Sequence, residues 1–68
     1  MKNLIKVERA RNNMTQSELA EKVKVARQTI IAIEASRFVP STMLAFKIAA
    51  ILNCKTDEIF ILEDKDWL

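Results

Sequence analysis

Histidine and glycine are missing from this chain, and proline and cysteine occur once each. Without His or a second Cys there is no internal disulfide and no Cys/His metal cage. The lone Cys54 reads as a small buried hydrophobe, and a free thiol fits a reducing cytoplasm. With no Gly, one Pro, little Thr and no Tyr, a β-sandwich or barrel is not expected. The opening MKNLIKVERAR has no apolar run beyond Leu4 and Ile5, so neither a signal peptide nor a membrane span is read there. Catalytic inventory is missing too. There is no Gly-rich phosphate loop, no nucleophile beside a base and no carboxylate pair in a plausible cleft. No catalytic residue, metal or cofactor is therefore assigned, and the chain is not read as an enzyme.

What is present points to a helical domain. Sixty-eight residues make one domain, residues 1–68, with 59–68 as a C-terminal tail. Half the residues are apolar, enough for a compact core. The net charge of +2 hides an asymmetry. Residues 1–55 hold ten basic residues against four acids, and residues 56–68 hold one against five. A basic body attracts phosphates, and an acidic tail should point away from them.

Residues 2–12 read as a first helix with Ile5, Val7, Ala10 and Met14 inward and Lys6, Glu8 and Arg11 outward; Asn12 and Asn13 end it. Thr15 opens a second helix, and T-Q-S-E is a capping box in which Thr15 and Glu18 satisfy each other's backbone donors. Leu19, Ala20 and Val23 are its apolar face. Lys24-Val25-Ala26 is a turn plugged by Val25. A third helix runs from about Arg27 to Ala35, with Ile30 and Ile33 inward. A loop closes at Pro40, and Ser41 caps a fourth helix, STMLAFKIAAILN. That helix is apolar almost all round and should be the central buried one. Thr56-Asp57-Glu58 opens a short fifth helix anchored by Ile59 and Phe60. The apolar tail Phe60-Ile61-Leu62 reads as a strand or hook at a homodimer interface, against packing over the monomer's own core. Trp67 and Leu68 join it or fray.

Residues 15–34 carry the functional signal. Apolar or small residues at Leu19, Ala20, Val23, Val25, Ile30 and Ile33 fall where two crossed helices and their turn must touch. The start of the second of these helices is polar, where base edges would be met. Arg matched to guanine and Gln to adenine are the complementary pairs for such a position.

With TQSELAEKV, ARQTI-AIE, P-S-LAFKIA-ILN and DEIF in this order and spacing, the chain resembles the Cro and phage-repressor (Xre-type) helix-turn-helix family, notably its small stand-alone bacterial and archaeal members. The resemblance covers about residues 3–60. It implies an all-α, five-helix lambda-repressor-like domain with the helix-turn-helix at helices 2 and 3. Such domains are usually dimeric and bind double-stranded DNA at a two-fold symmetric operator through the third helix. It further implies that Arg27 and Gln28 read bases, with Ala32 one turn on and able to meet only a thymine methyl. Ile31, where most relatives have a small or polar residue, could contact a thymine methyl or a sugar edge. For the DNA backbone, the resemblance implies Gln16, Thr29, Ser36 and Arg37. Arg9 and Glu34 match a structural ion pair between the first and third helices.

This chain departs from the family pattern in several places. Lys24 stands where the turn usually has Gly, and would cost on the order of 1 kcal/mol if left-handed. Ala26 replaces the usual Ser cap, a loss of roughly 1 kcal/mol. Ala35-Ser36 replaces Asn-Gly, and Glu8 a frequent apolar residue. The expected function is a cytoplasmic, homodimeric DNA-binding transcription regulator, most simply a repressor by occupancy, with no membrane association. The alternative is an antitoxin-type protein-interaction module on the same fold. No small-molecule effector is identified.

Overall fold

A computed structural model describes residues 1–68. The order of elements is β1 (Lys2–Asn3), α1 (Ile5–Arg11), α2 (Gln16–Val23), α3 (Arg27–Glu34), α4 (Thr42–Ile51), α5 (Thr56–Ile59), β2 (Phe60–Ile61) and a closing 3-10 turn (Asp64–Trp67). Five helices enclose one core of Ile5, Leu19, Ala20, Val23, Ile30, Ile33, Ile48, Ala49, Leu52, Ile59 and Phe60. The architecture is the five-helix, mainly α domain expected. The strand content is a single antiparallel ribbon in which Lys2 pairs with Ile61 and Asn3 with Phe60.

Four residues take the left-handed conformation that glycine would favour: Asn13, Lys24, Ser36 and Asn53. Each closes or follows a helix. Asn at two of them is inexpensive, because its short side chain tolerates this region.

The inner face of α1 differs from the expectation. Val7 and Ala10 are exposed, whereas Glu8, Arg9 and Asn12 are half-buried beside fully buried Ile5. The inward stripe is thus 5, 8, 9 and 12, the i, i+3, i+4, i+7 positions of a helix starting at Ile5. Its polar members are paired. The Asn12 amide donates to Leu52 O at 3.3 Å, and the Cys54 thiol donates to Glu8 Oε1 at 3.3 Å. Cys54 is half-buried rather than fully enclosed. Burial and then the nearby Glu8 push its thiol pKa up.

Helix α4 is also corrected. Ile48 and Ala49 are its fully buried residues, while Met43 and Phe46 are 68% and 59% exposed. A near-continuous apolar sequence conceals which stripe faces inward, because periodicity vanishes when every position is apolar. Ser41 caps the helix as expected, its Oγ accepting the Leu44 N–H at 3.2 Å.

The tail forms the strand expected but pairs it within the monomer, so Phe60 is not the exposed apolar residue expected. Phe60 is only 9% exposed and belongs to the core, and Ile61 is half-buried in the ribbon. Of the three tail residues, only Leu62 stands out in solvent. The physical reason is the ribbon itself. Pairing with β1 directs Phe60 onto the core, and Leu4 N donates to Ile59 O at 2.9 Å. The Met1 amino group donates to Asp66 Oδ1 at 2.9 Å, drawing the 3-10 turn against the N-terminus. Trp67 and Leu68 remain exposed.

Candidate nucleic-acid interface

Helix α2 is set by its cap. Thr15 Oγ1 accepts the Glu18 N–H at 3.0 Å, and Glu18 Oε1 accepts the Thr15 N–H at 2.9 Å. The Thr15 backbone hydrogen bond, followed by its side chain, holds the Glu18 carboxyl below the usual carboxylate range. This reciprocal pair makes Gln16 the first helical residue and fixes where its side chain leaves the backbone.

The turn follows from Lys24. With φ 62° and ψ 48° it reverses the chain, and its N–H and that of Val25 return to Glu21 O and Ala20 O. Val25 is half-buried against the core. Ala26 occupies the cap position of α3 in extended backbone with no side-chain hydrogen bond. Helix α3 then buries Ile30 and Ile33. A helical rotation of 100° per residue places Gln28, Ile31 and Ala32 on the opposite side, flanked by Arg27 and Thr29. Arg27 and Gln28 are exposed; Thr29, Ile31 and Ala32 are partly so.

A chain of polar contacts runs behind this face. Arg9 makes a two-pronged pair with Glu34, Nε to Oε2 at 2.6 Å and Nη2 to Oε1 at 3.1 Å. Its remaining Nη1 donates to Met14 O at 2.9 Å. Both side chains are largely buried, 13% and 9% exposed. Gln16 Nε2 donates to Glu34 Oε1 at 3.3 Å, and Arg27 Nη2 donates to Gln16 Oε1 at 3.4 Å. Arg9, Thr15, Gln16, Ser17 and Arg27 line a polar notch of about 300 Å³ between the starts of α2 and α3.

The far end of the face is shaped by main-chain bonds. Ser36 N donates to Ile33 O at 3.0 Å and Arg37 N to Ala32 O at 2.9 Å, with Ser36 left-handed at φ 59°. The loop is thereby folded back on α3. Ser36 and Arg37 are exposed at its end, and Phe38 lies beside Gln28, Thr29 and Ala32 in a second cleft. The structure therefore gathers Gln16, Arg27, Gln28, Thr29, Ile31 and Ala32 on and beside α3, with Ser36 and Arg37 adjoining. Phe60, Ile61 and Leu62 are in or next to the ribbon and are not part of this face. Phe38, beside this face, is not among the residues that the sequence singles out. Its signal was an aromatic residue in the loop directly after the third helix.

No group of three or more His, Cys, Asp or Glu is arranged to hold a metal ion. No helix is long and apolar enough to cross a membrane. Exposed Arg27, Gln28 and Arg37 offer hydrogen-bond donors and positive charge.

Comparison with known proteins agrees. Residues 5–59 match the family model described as helix-turn-helix. The chain is 53% identical over 66 residues to an uncharacterized HTH-type transcriptional regulator of Methanocaldococcus jannaschii, spanning 97% of this chain and all of that protein. The uncharacterized HTH-type transcriptional regulator YgzD of Bacillus subtilis is 44% identical over 66 residues, again 97% of this chain and all of that protein. Among solved structures, a hypothetical transcription factor, NHTF, from Neisseria superposes with a TM-score of 0.77 at 21% identity. That match covers 93% of this chain and 72% of the other, and it speaks to the fold.

Proposed function

The chain belongs to the Xre-type helix-turn-helix family, a family of transcription regulators and not an enzyme class, and on that premise we propose that it is a homodimeric repressor acting through double-stranded DNA. Helix α3 enters the major groove, Arg27 and Gln28 select bases, and Ile31 and Ala32 meet the groove floor. Gln16, Thr29, Ser36 and Arg37 hold the DNA backbone and so set the register. The observation that carries this reading is the exposure of Arg27 and Gln28 on one face of a helix whose other face is locked into the core. Residues 1–68 act as one binding domain, working in the cytoplasm.

Dimerisation supplies two such helices to successive major grooves, about 34 Å apart. With Phe60 in the core, Ile61 and Leu62 of the tail present little apolar area. The larger exposed apolar stripe is on α4, where Met43, Phe46 and Ala50 share one side. So much exposed apolar surface on so small a domain favours a partner. We place the interface on this stripe, with Leu62 of the tail at most at its margin. Occupancy of the operator then excludes polymerase.

Selection of bound duplexes from a random pool at two salt concentrations tests the proposal. A two-fold symmetric consensus with half-sites one helical turn apart, and affinity that falls steeply with salt, is the expected result. A pool without consensus, together with recovery of a stoichiometric protein partner, would replace it with the protein-interaction reading.

A further inference from the structure

The cleft at the edge of α3 lies outside the core and adjoins the base-reading pair through Gln28. It is lined by Gln28, Thr29, Ala32 and Phe38 alone. Phe38 comes from outside the helix and keeps about half its surface in solvent (49% exposed). Its position is set by the two main-chain bonds that fold Ser36 and Arg37 onto the end of α3. Ala32 adds a methyl group to the lining of the cleft, and Gln28 and Thr29 add polar groups.

We infer that Phe38 and Ala32 form an apolar seat for the C5-methyl group of a thymine, making Phe38 a specificity-determining residue contributed by the loop. This rests on the proposed DNA reading and deepens it. Three features favour this occupant. The cleft is continuous with the face that carries Gln28. It is open and can receive a base edge. Arg27 and Arg37 flank α3 at its two ends with uncompensated positive charge facing solvent, as a phosphate-bearing partner requires. The chemistry is also consistent within one base pair. In the major groove an A·T pair offers adenine N6 and N7, which match a Gln amide, and, beyond thymine O4, the thymine methyl. Gln28 itself lines the Phe38 cleft, so the two can meet one base pair.

The test uses the duplex recovered by selection, with each thymine replaced singly by uracil. Uracil keeps every hydrogen-bonding group and removes only the methyl. At one thymine per half-site, uracil should weaken binding by the wild-type chain about fourfold, the worth of one buried methyl group. Phe38→Ala should bind the thymine duplex about that much more weakly and show no further loss on uracil. Phe38→Leu, which keeps an apolar side chain and protects against loss of fold, should show an intermediate uracil penalty. A consensus without a required thymine, or an equal uracil penalty in wild type and Phe38→Ala, overturns the inference. So does a penalty abolished by Ile31→Ala and kept by Phe38→Ala. All three outcomes leave the proposed function standing, whereas the absence of any consensus removes both.

Discussion

Arg27 donates to Gln16 across the turn, Nη2 to Oε1 at 3.4 Å, so the leading residue of α3 is tethered to the leading residue of α2. The bond is long and exposed, and it adds little to stability. Its consequence is orientation. Through Gln16 the tether continues to Glu34 and Arg9, so the exposed Arg27, proposed to read a base, is connected to a largely buried ion pair.

Removing Arg27 should therefore alter binding and leave folding unchanged. Arg27→Ala is expected to lower affinity for the selected operator by about 1–3 kcal/mol and to relax preference at one base pair. Gln16→Ala should weaken all sequences more uniformly. Titration of both variants against cognate and scrambled duplexes, with thermal unfolding by circular dichroism alongside, separates these effects. Loss of fold in Arg27→Ala would contradict the assignment.

The ion pair behind the face should behave in the opposite way. Arg9→Met leaves Glu34 largely buried without its partner and should cost on the order of 3 kcal/mol. The double variant Arg9→Met/Glu34→Leu, which removes both charges, should recover most of that loss. Urea unfolding of the three chains measures it. Additive losses in the double variant would show that the pair is not coupled.

Lys24 offers a gain. A residue with a Cβ at φ 62° carries a left-handed penalty that glycine does not. Lys24→Gly should stabilise the domain by about 1 kcal/mol, read from the urea midpoint at constant slope. An unchanged or lower midpoint would mean that the turn is not strained.

The capping box gives a pH dependence. Folding lowers the Glu18 pKa, chiefly through the Thr15 backbone hydrogen bond. Its stabilisation is then fully present above the ordinary Glu range and fades as pH falls through the lowered value. Glu18→Gln keeps an acceptor but does not titrate there. The stability advantage of the wild type over this variant should shrink on acidification from neutral pH. An advantage independent of pH would exclude ionised Glu18 as the cap.

The α4 stripe predicts the oligomeric state. Phe46→Glu places a charge on an exposed position, so the monomer should fold. Sedimentation should show a monomer where the wild type is a dimer, with operator affinity falling together with dimerisation. A wild type that is monomeric at all concentrations would remove the homodimer from the account.

The sequence was most readable where local chemistry decides structure. Thr15 and Glu18 mark the start of α2, and Ser41 marks α4, because capping needs particular side chains at particular spacing. The apolar positions of α2 and α3 were legible for a related reason: polar residues between them leave one inward stripe. Two kinds of position were not legible. On α1 the inward residues Glu8, Arg9 and Asn12 are polar, and their burial makes sense only with partners distant in sequence: Cys54, Glu34 and Leu52. On α4 and in Phe60-Ile61 almost everything is apolar, so the sequence shows that something is buried and not which side. The two-residue strand β1 is too short for any periodicity and is defined by its pairing with β2. On the candidate face, Arg27 and Gln28 stood out by chemistry, but Phe38 joins them only through the folded-back loop.

The claim that α3 reads bases in the major groove is tested most directly by single-atom changes in the operator. Replacing purine N7 by carbon removes a major-groove acceptor, and replacing guanine by inosine removes a minor-groove amino group. The account predicts that N7 replacement at one or two base pairs per half-site weakens wild-type binding. It predicts no such penalty for Arg27→Ala or Gln28→Ala at the pair each one reads, and no effect of inosine. Sensitivity to inosine with indifference to N7, or N7 penalties unchanged in both variants, would contradict it.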